Sequence, residues 1–212
     1  MVELIVDGRP IQAKQGTSVL QACLANGIYI PHLCFLEDAP KPDAACRLCF
    51  VEIAASPAPV TSCTLAATDG LQVRTDGPRT RQLQRSALRL LLSNHLVDCK
   101  PCHANRACAL QQMARFLKIA LKSSSLPFVP RSAEVDHSHP CIDLYPHRCV
   151  LCGKCIKVCQ DASGHSLLTM AGRGIDTAVR YYPVAGDTDM DCGACSRCVA
   201  VCPVGAIQLR DQ

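Results

Sequence analysis

The sequence is poor in the residues that usually fill a protein core. It has no tryptophan, four tyrosines and four phenylalanines among 212 residues, so other groups must occupy part of the interior. Every apolar stretch, including SALRLLLSN, is interrupted by charged or amide residues before it reaches 18 residues. This excludes a membrane-spanning helix. With 19% charged and 49% apolar residues, the composition indicates an ordered globular protein.

Cysteine, in contrast, is abundant. The chain has 17 cysteines, a density that in a short secreted protein would suggest a disulfide scaffold. Three observations oppose that interpretation: the count is odd, the opening MVELIVDGRP lacks the pattern of a signal peptide, and most cysteines stand in C-x-x-C pairs. The pattern therefore predicts metal-bound thiolates in the reducing cytoplasm.

The order of predicted elements indicates an α+β chain that begins with a β-grasp sheet. Two strands flank the turn signal Asp7-Gly8, a helix capped by Thr17 or Ser18 ends at 26–27, and FVEIAA and LQVRT are strands. Helical periodicity returns at about 79–97 and about 106–122, before serines and prolines mark a linker. The predicted apolar stripes of the three helices contain Val19, Leu20, Cys23 and Leu24, then Leu83, Ala87, Leu90, Leu91 and Asn94, then Leu110, Met113, Leu117 and Leu121.

The first cysteine set has the spacing C-x11-C-x2-C-x13-C. Its members are Cys34, Cys46, Cys49 and Cys63. Four thiolates suit a [2Fe–2S] cluster, which needs two ligands on each iron. Structural zinc also accepts four cysteines and is the alternative. The β-grasp order favours the cluster, because this fold carries plant-type [2Fe–2S] centres in many ferredoxins.

The second set combines a histidine with three cysteines. Its members are His95, Cys99, Cys102 and Cys108, spaced H-x3-C-x2-C-x5-C. A lone histidine is more often a capping or solvated residue, but here three cysteines lack a fourth ligand. His103 is the rival. Because it is adjacent to Cys102, strain would oppose binding of both to one [4Fe–4S] cluster, and His95 is favoured.

The third and fourth sets lie in an internal repeat between Cys149 and Val204. CVLCGKCIKVC and CGACSRCVAVCP both follow C-x2-C-x2-C-x3-C, the spacing of bacterial two-cluster ferredoxins. In such runs the fourth cysteine binds the other cluster. The predicted ligands are therefore Cys149, Cys152, Cys155 and Cys202 for one [4Fe–4S] cluster, and Cys159, Cys192, Cys195 and Cys198 for the other.

These sets predict one [2Fe–2S] and three [4Fe–4S] clusters and leave two cysteines over. Cys23 lies on a helical apolar stripe and Cys141 lies in the linker, and packing is the expected role of both. The formal charge of +4 counts every thiol as neutral. Thiolates and cluster cores change it to roughly −3, which removes the argument for a nucleic-acid partner.

No site for a substrate or a nucleotide is predicted. The sequence has no Walker loop and no G-x-G-x-x-G after a strand, and AGRG at 171–174 is predicted to be a turn because no helical pattern follows. The residues that could act as a nucleophile and its base are already expected ligands. The chain is thus expected to have no catalytic residue and no NAD or FMN site.

Taken in order, the four sets resemble the iron–sulfur region shared by the large peripheral subunit of complex I, iron-only hydrogenases, NAD-dependent formate dehydrogenases and the small diaphorase subunit of NAD-reducing nickel–iron hydrogenases. The chain ends ten residues after Cys202 and both ferredoxin runs are complete, and in these respects it is most similar to the diaphorase subunit. The resemblance implies a cytoplasmic oxidoreductase complex with a flavin- and NAD-binding subunit and nickel–iron hydrogenase subunits as partners.

By resemblance, electrons would cross the chain between hydrogen and NAD. The alternatives are the equivalent subunit of a formate dehydrogenase, a complex I-like enzyme or an iron-only hydrogenase, and a redox sensor or scaffold, for which four clusters would be excessive. The expected domains are a [2Fe–2S] ferredoxin-type domain at 1–77, a small helical domain with the His/Cys3 [4Fe–4S] site at 78–124, and the linker with a bacterial two-[4Fe–4S] ferredoxin-like domain at 125–212.

Overall fold

The first two strands alternate buried and exposed residues, as strands of a half-covered sheet do. In the computed structural model, β1 (Val2–Val6) and β2 (Arg9–Ala13) pair antiparallel from Val2 opposite Ala13 to Val6 opposite Arg9. Asp7 and Gly8 connect them, both with positive φ, which a tight turn between twisted strands requires. The predicted hairpin is confirmed. The structure describes residues 1–39, 41–122, 126–132, 134–183 and 192–210.

Five strands form the sheet of the first unit, in the order β2-β1-β5-β3-β4. The three further strands are β3 (Phe50–Ile53), β4 (Val60–Thr61) and β5 (Gln72–Arg74). β5 runs parallel to β1, and the other pairs are antiparallel. The mixed sheet confirms the predicted β-grasp order. β4 was not predicted because two residues are too few to show alternation.

The helix α1 (Val19–Ala25) supplies much of the first core. The Ser18 hydroxyl accepts a hydrogen bond from the backbone N–H of Gln21 at 3.2 Å, which identifies Ser18, of the two predicted residues, as the cap. Four residues of the helix are buried with the inner face of the sheet: Val19, Leu20, Ala22 and Cys23. Cys23 is fully buried, so the predicted packing role is confirmed.

The helix α2 (Pro78–Asn94) turns a different face inward from the predicted one. Thr80, Gln84 and Leu88 are fully buried, whereas Leu90 is 61% exposed, so the predicted leucine stripe is wrong at that position. Glu52 on β3 accepts hydrogen bonds from the backbone N–H and the hydroxyl of Thr80, both at 3.2 Å. Gln84 donates to the Phe50 carbonyl at 3.0 Å. Hydrogen bonds to β3 thus set the orientation of the helix.

The second compact unit begins at Arg89, and the first spans Met1–Leu88. In this second unit α3 (Ala109–Leu117) buries Leu110, Met113 and Leu117 as predicted. It ends before Leu121, because Lys118 has left-handed backbone with φ 53°. Such a residue commonly ends a helix. The predicted domain boundaries at 77 and 124 stay a prediction.

The described residues of the second unit also form two small antiparallel sheets, three short α-helices, and 3-10 helices at Pro146–Arg148 and Gly174–Asp176. β6 (Ile142–Leu144) pairs with β9 (Ile207–Leu209), and β7 (Leu168–Ala171) pairs with β8 (Ala178–Tyr181). The helices are α4 (Lys154–Ser163), α5 (Cys192–Cys195) and α6 (Arg197–Ala200). The predicted turn in AGRG is confirmed between β7 and β8, where Gly172 has φ 83°. β6 falls within the segment expected to be a linker, while Ser123, Ser124 and Ser125 lie outside the described residues.

The fold class is α+β, as predicted. Within the described ranges, no helix has the length and apolar character needed to cross a membrane.

Candidate metal centres

The four cysteines of the first set are all buried in the first unit: Cys34, Cys46, Cys49 and Cys63. Cys49 directly precedes β3 and Cys63 follows β4. Pairing of these strands brings the two together, and the backbone N–H of Ser62 donates to the Cys49 carbonyl at 2.8 Å. The Sγ atoms of Cys34 and Cys46 lie 3.5 Å apart. The loop that carries Cys46 needs left-handed backbone at Ala44 and Arg47.

Hydrogen bonds within this set divide the thiols into donors and acceptors. A bond from the Cys34 thiol, helped by backbone N–H groups, lowers the pKa of Cys46 to about 7. A bond from Cys63 likewise lowers the pKa of Cys49 to about 7. The pKa values of the donors Cys34 and Cys63 are raised by the same bonds and by burial. Two sulfurs are thus prepared to be anionic, the form that binds iron.

The three cysteines of the second set lie close together in the second unit. The backbone N–H of Cys102 donates to the Cys99 carbonyl at 3.2 Å. Cys108 is the N-terminal cap of α3. Burial raises the pKa of Cys108, and the Cys102 and Cys99 thiols act on it in the same direction.

His95 follows α2 directly and is held by one ring nitrogen. Its Nδ1 lies 3.0 Å from the Arg148 carbonyl, and a carbonyl can only accept, so Nδ1 carries the proton. Burial lowers the pKa of His95 to about 4, which keeps the ring neutral near pH 7. Nε2 is therefore unprotonated. A neutral imidazole whose second nitrogen is fixed by a carbonyl is the usual form of a ligating histidine.

The two cysteine runs of the ferredoxin-like repeat lie close together in the structure. One cavity is lined by the thiol-bearing residues Cys149, Cys152, Cys155 and Cys202 together with apolar side chains. Burial raises the pKa of Cys155, and electrostatic contact with Cys149, Cys152 and Cys202, together with Cys198 of the other run, raises it further. Burial also raises the pKa of Cys198, and electrostatic contact with Cys159, Cys192 and Cys195 raises it further. In each group the structure brings cysteines of one run near a cysteine of the other, and the assignment of the two groups to two clusters stays a prediction.

The third and fourth sets depend on left-handed backbone at the turns between cysteines. Leu151 and Gly153 have φ of 52° and 75°, and Ser196 has φ of 43°. The backbone N–H of Leu151 lies 3.4 Å from the Cys149 sulfur. A backbone N–H directed at a sulfur in this way stabilises its anionic form.

The segment after Cys202 packs closely against the second set. A Cβ atom on Gly205 would lie 2.5 Å from the Cys102 Sγ, closer than real contacts allow, so only glycine fits. The Pro203 carbonyl accepts a hydrogen bond from the backbone N–H of Ala109 at 2.9 Å. The second and third ligand sets are therefore neighbours within this unit.

Across the described part of the chain, no three His, Cys, Asp or Glu side chains converge on a single point as ligands of one ion do. A cluster requires no such convergence, because its ligands bind different iron atoms.

Comparison with known proteins agrees with this geometry. Residues 1–78 match the 2Fe-2S iron-sulfur cluster binding domain, 84–120 match the NADH-ubiquinone oxidoreductase-G iron-sulfur binding region, and 148–206 match the 4Fe-4S dicluster domain. Over 207 residues, or 98% of this chain, it is 33% identical to the NADPH-Fe(3+) oxidoreductase subunit alpha of Geobacter sulfurreducens. It is 30% identical over the same share to the mitochondrial NADH dehydrogenase [ubiquinone] iron-sulfur protein 1 of Solanum tuberosum. The chain spans 24% of the length of the first relative and 27% of the second.

A solved structure covers the chain almost completely. A chain in the crystal structure of NAD+-reducing [NiFe]-hydrogenase in the H2-reduced state superposes with a TM-score of 0.84 and is 32% identical. The match covers 99% of this chain and 87% of that one. The chain belongs to this family of iron–sulfur electron-transfer subunits. It has a [2Fe–2S] domain and [4Fe–4S] domains.

Sequence reasoning missed two kinds of residue in this iron–sulfur subunit. Glu52 and Gln84 fix α2 against β3 through hydrogen bonds that no apolar periodicity reveals. Arg131 donates from Nη1 to the Cys149 carbonyl at 2.6 Å, although it lies in a segment read as a linker. Cys141 is partly exposed, and its carbonyl accepts from the Arg210 N–H at 2.9 Å. Its packing role stays a prediction.

Proposed function

We propose that this chain relays electrons between a hydrogenase module and a flavin- and NAD-binding diaphorase module. The overall reaction converts H2 and NAD+ to NADH and H+, or runs in reverse. The observation that carries the proposal is the likeness over nearly the whole of both chains to a subunit of an NAD+-reducing hydrogenase. Hydrogen activation and NAD binding then belong to the partner subunits, in a cytoplasmic complex, and this chain has no catalytic residue.

The proposed relay has one [2Fe–2S] and three [4Fe–4S] clusters. Its ligands are Cys34, Cys46, Cys49 and Cys63 for the [2Fe–2S] cluster, His95, Cys99, Cys102 and Cys108 for the first [4Fe–4S] cluster, Cys149, Cys152, Cys155 and Cys202 for the second, and Cys159, Cys192, Cys195 and Cys198 for the third. The donor types fit, since thiolates and a neutral imidazole are the usual ligands of such clusters. When bound, the clusters supply reversible one-electron chemistry.

The chain's own residues would make this relay efficient by holding each ligand set in a fixed place. Burial of the first set beside the sheet excludes water, and the close packing of Gly205 on Cys102 keeps the second and third sets adjacent. At Cys46 a bond from the Cys34 thiol and backbone N–H groups favour the anionic sulfur. At Cys149 burial raises the pKa of the thiol, and the backbone N–H of Leu151 opposes that rise. Such hydrogen bonds and burial are the means by which a protein adjusts cluster potentials.

A second candidate is a relay subunit of an NAD(P)H-dependent oxidoreductase with another electron partner. It is favoured by the 33% identity to the NADPH-Fe(3+) oxidoreductase subunit alpha. To distinguish the two, the tagged chain is purified without oxygen from its native cell, and its co-eluting proteins, nickel and flavin are identified. Nickel, flavin and H2-dependent NAD+ reduction together support the hydrogenase complex. Flavin without nickel or H2-dependent activity would assign the chain to the second candidate.

Metal content tests the cluster assignment separately. The loaded chain should contain about 14 iron atoms and about 14 acid-labile sulfides, and no stoichiometric zinc. Zinc at one atom per chain, or iron near 10, would show that one ligand set holds something else.

The choice of histidine has its own test. His95→Ala should release about four irons, whereas His95→Cys should keep a cluster of lower potential, because a thiolate adds negative charge. His103→Ala is the matched control and should leave all cluster signals in redox-poised EPR unchanged. A cluster lost in the His103 variant alone would assign that residue as the ligand instead.

A further inference from the structure

Arg131 connects a segment that none of the matched families covers to the ferredoxin-like ligands. It lies between the regions matched at 84–120 and 148–206. Its Nη1 donates to the Cys149 carbonyl at 2.6 Å, so the guanidinium sits beside the first cysteine of the third ligand set. Arg148 directly precedes Cys149 in the chain, and its carbonyl accepts a hydrogen bond from His95 Nδ1.

Unsatisfied buried nitrogens gather in this region. Among the described residues, three buried side-chain polar atoms have no hydrogen-bond partner: Arg131 Nε, His147 Nδ1 and Arg148 Nε. Buried polar groups are normally paired, and the two arginine Nε–H groups, which can only donate, therefore point to acceptors supplied by a bound group. Inorganic sulfide and cysteine sulfur of a [4Fe–4S] cluster are such acceptors.

The positive charge of Arg131 is also uncompensated. In the described ranges, neither Arg131 nor Arg148 forms an ion pair with an acidic side chain. The Arg148 guanidinium stacks 4.7 Å from the centre of the Tyr145 ring, which gives it a separate packing role. Arg131 lies beside Cys149 through its 2.6 Å hydrogen bond, and the carbonyl of Arg148, the residue before Cys149, accepts from His95 Nδ1 at 3.0 Å. Arg131 therefore lies within electrostatic range of two ligand sets.

We propose that Arg131 is a positioning residue that holds a positive charge between the His95 and Cys149 clusters and raises the reduction potential of at least one of them. The proposal rests on the cluster ligands proposed above. A cluster gains negative charge when it is reduced, so a fixed neighbouring cation stabilises the reduced form. The segment before the repeat would thus adjust the reduction potential of a cluster in the relay, in addition to connecting two parts of the chain.

The test compares Arg131→Gln with Arg131→Lys in the anaerobically purified, iron-loaded full chain. Redox-poised EPR should show a lower midpoint potential for at least one [4Fe–4S] signal in the Gln variant. We expect about a tenfold change in the ratio of oxidised to reduced cluster, which is about 59 mV for a one-electron couple. The Lys variant keeps the charge and should stay near the wild-type potential. Arg173→Gln, at an exposed turn, is the control with the same change of net charge.

Each outcome decides the proposal. Unchanged potentials in Arg131→Gln with full iron content would overturn it, as would equal shifts in the Gln, Lys and Arg173 variants. Loss of iron in Arg131→Gln but not in Arg131→Lys supports the role of the charge, because only the Lys variant keeps a positive charge at this position. Loss of iron in both Arg131 variants would overturn it and leave Arg131 a purely structural support. The iron content and EPR signals of the wild-type chain show whether the proposed clusters are present. A failure of the cluster assignment is therefore distinguished from a failure of the role proposed for Arg131.

Discussion

The two units bury their candidate ligands in different ways. In the first unit a sheet and a helix form an apolar core that includes Leu4, Val6, Leu20 and Val51, and the candidate ligands Cys49 and Cys63 are part of it. In the second unit the core around Ile142 and Leu168 is small, and many of the side chains packed on it are candidate ligands. These are Cys149, Cys155, Cys159, Cys198 and Cys202.

This difference indicates what holds each unit together. A side chain that packs mainly on other apolar side chains keeps its contacts when a metal leaves. Thiols that surround a cluster lose their shared partner, and their mutual repulsion and burial then oppose folding. The first unit should therefore be stable largely through its own core, whereas the second should depend on its clusters.

Removal of iron is the strongest test of this contrast. After anaerobic chelation, we expect the second unit to lose most of its amide protection, because binding free energy is folding free energy where ligands come from separated segments. The strands β1, β2 and β5 of the first unit should keep much of theirs. Hydrogen exchange followed by mass spectrometry measures both in one sample. Equal loss of protection in the two units would contradict the comparison.

Gly205→Ala sharpens the comparison within the second unit. The new Cβ would lie 2.5 Å from the Cys102 sulfur, so the ligand loop must move. We expect loss of about four irons per chain, the content of one [4Fe–4S] cluster. Gly174→Ala is a control for backbone strain without a contact, because a Cβ there meets nothing within 4 Å but φ is 55°, and it should leave the iron content unchanged. Full iron content in Gly205→Ala would show that the second set tolerates displacement and is less tightly packed than the structure indicates.

The sequence predicted those features that depend on local spacing. Cysteine runs, the turn at Asp7-Gly8 and the apolar stripe of α3 each lie within a few residues, so the pattern alone reveals them. Features that depend on residues distant in the sequence were not predicted. The orientation of α2 is set by Glu52 and Phe50, about 30 residues earlier, and β6 exists because β9 pairs with it from the far end of the unit. Arg131 likewise has no local signal.

Gln84→Ala tests whether the first unit is stabilised by its own contacts. The side chain is fully buried and donates to the Phe50 carbonyl at 3.0 Å. Its loss leaves that carbonyl unpaired and should cost about 1–3 kcal/mol of unfolding free energy. Urea unfolding of the iron-loaded chain measures the change, and exposed Gln82→Ala on the same helix is the control. An unchanged urea midpoint for the first unit would show that clusters, rather than such contacts, dominate its stability too.

The smallest expected effect is a pH dependence of the second unit that does not involve a candidate ligand. His139 is buried, and its Nδ1 accepts hydrogen bonds from the backbone N–H groups of Cys141 and Ile142 at 3.0 and 3.2 Å. A protonated Nδ1 could not accept them. Burial, followed by the charge of Arg210, lowers the pKa of His139. The His139 imidazole therefore stays neutral in the folded state at pH values where it takes up a proton in the unfolded state, in which its pKa is about 6.5.

Stability should therefore fall as pH decreases below about 6.5, and it should level off once the folded state is also protonated. One proton limits the change in the folding equilibrium to about tenfold between pH 7.5 and 5.5. His139→Asn keeps an acceptor for nearby backbone N–H groups but does not titrate, so this part of the pH dependence should disappear. Anaerobic urea unfolding followed by circular dichroism measures it. If the His139 variant keeps the wild-type slope, cluster loss alone accounts for the acid sensitivity of this unit, and its contrast with the first unit becomes sharper.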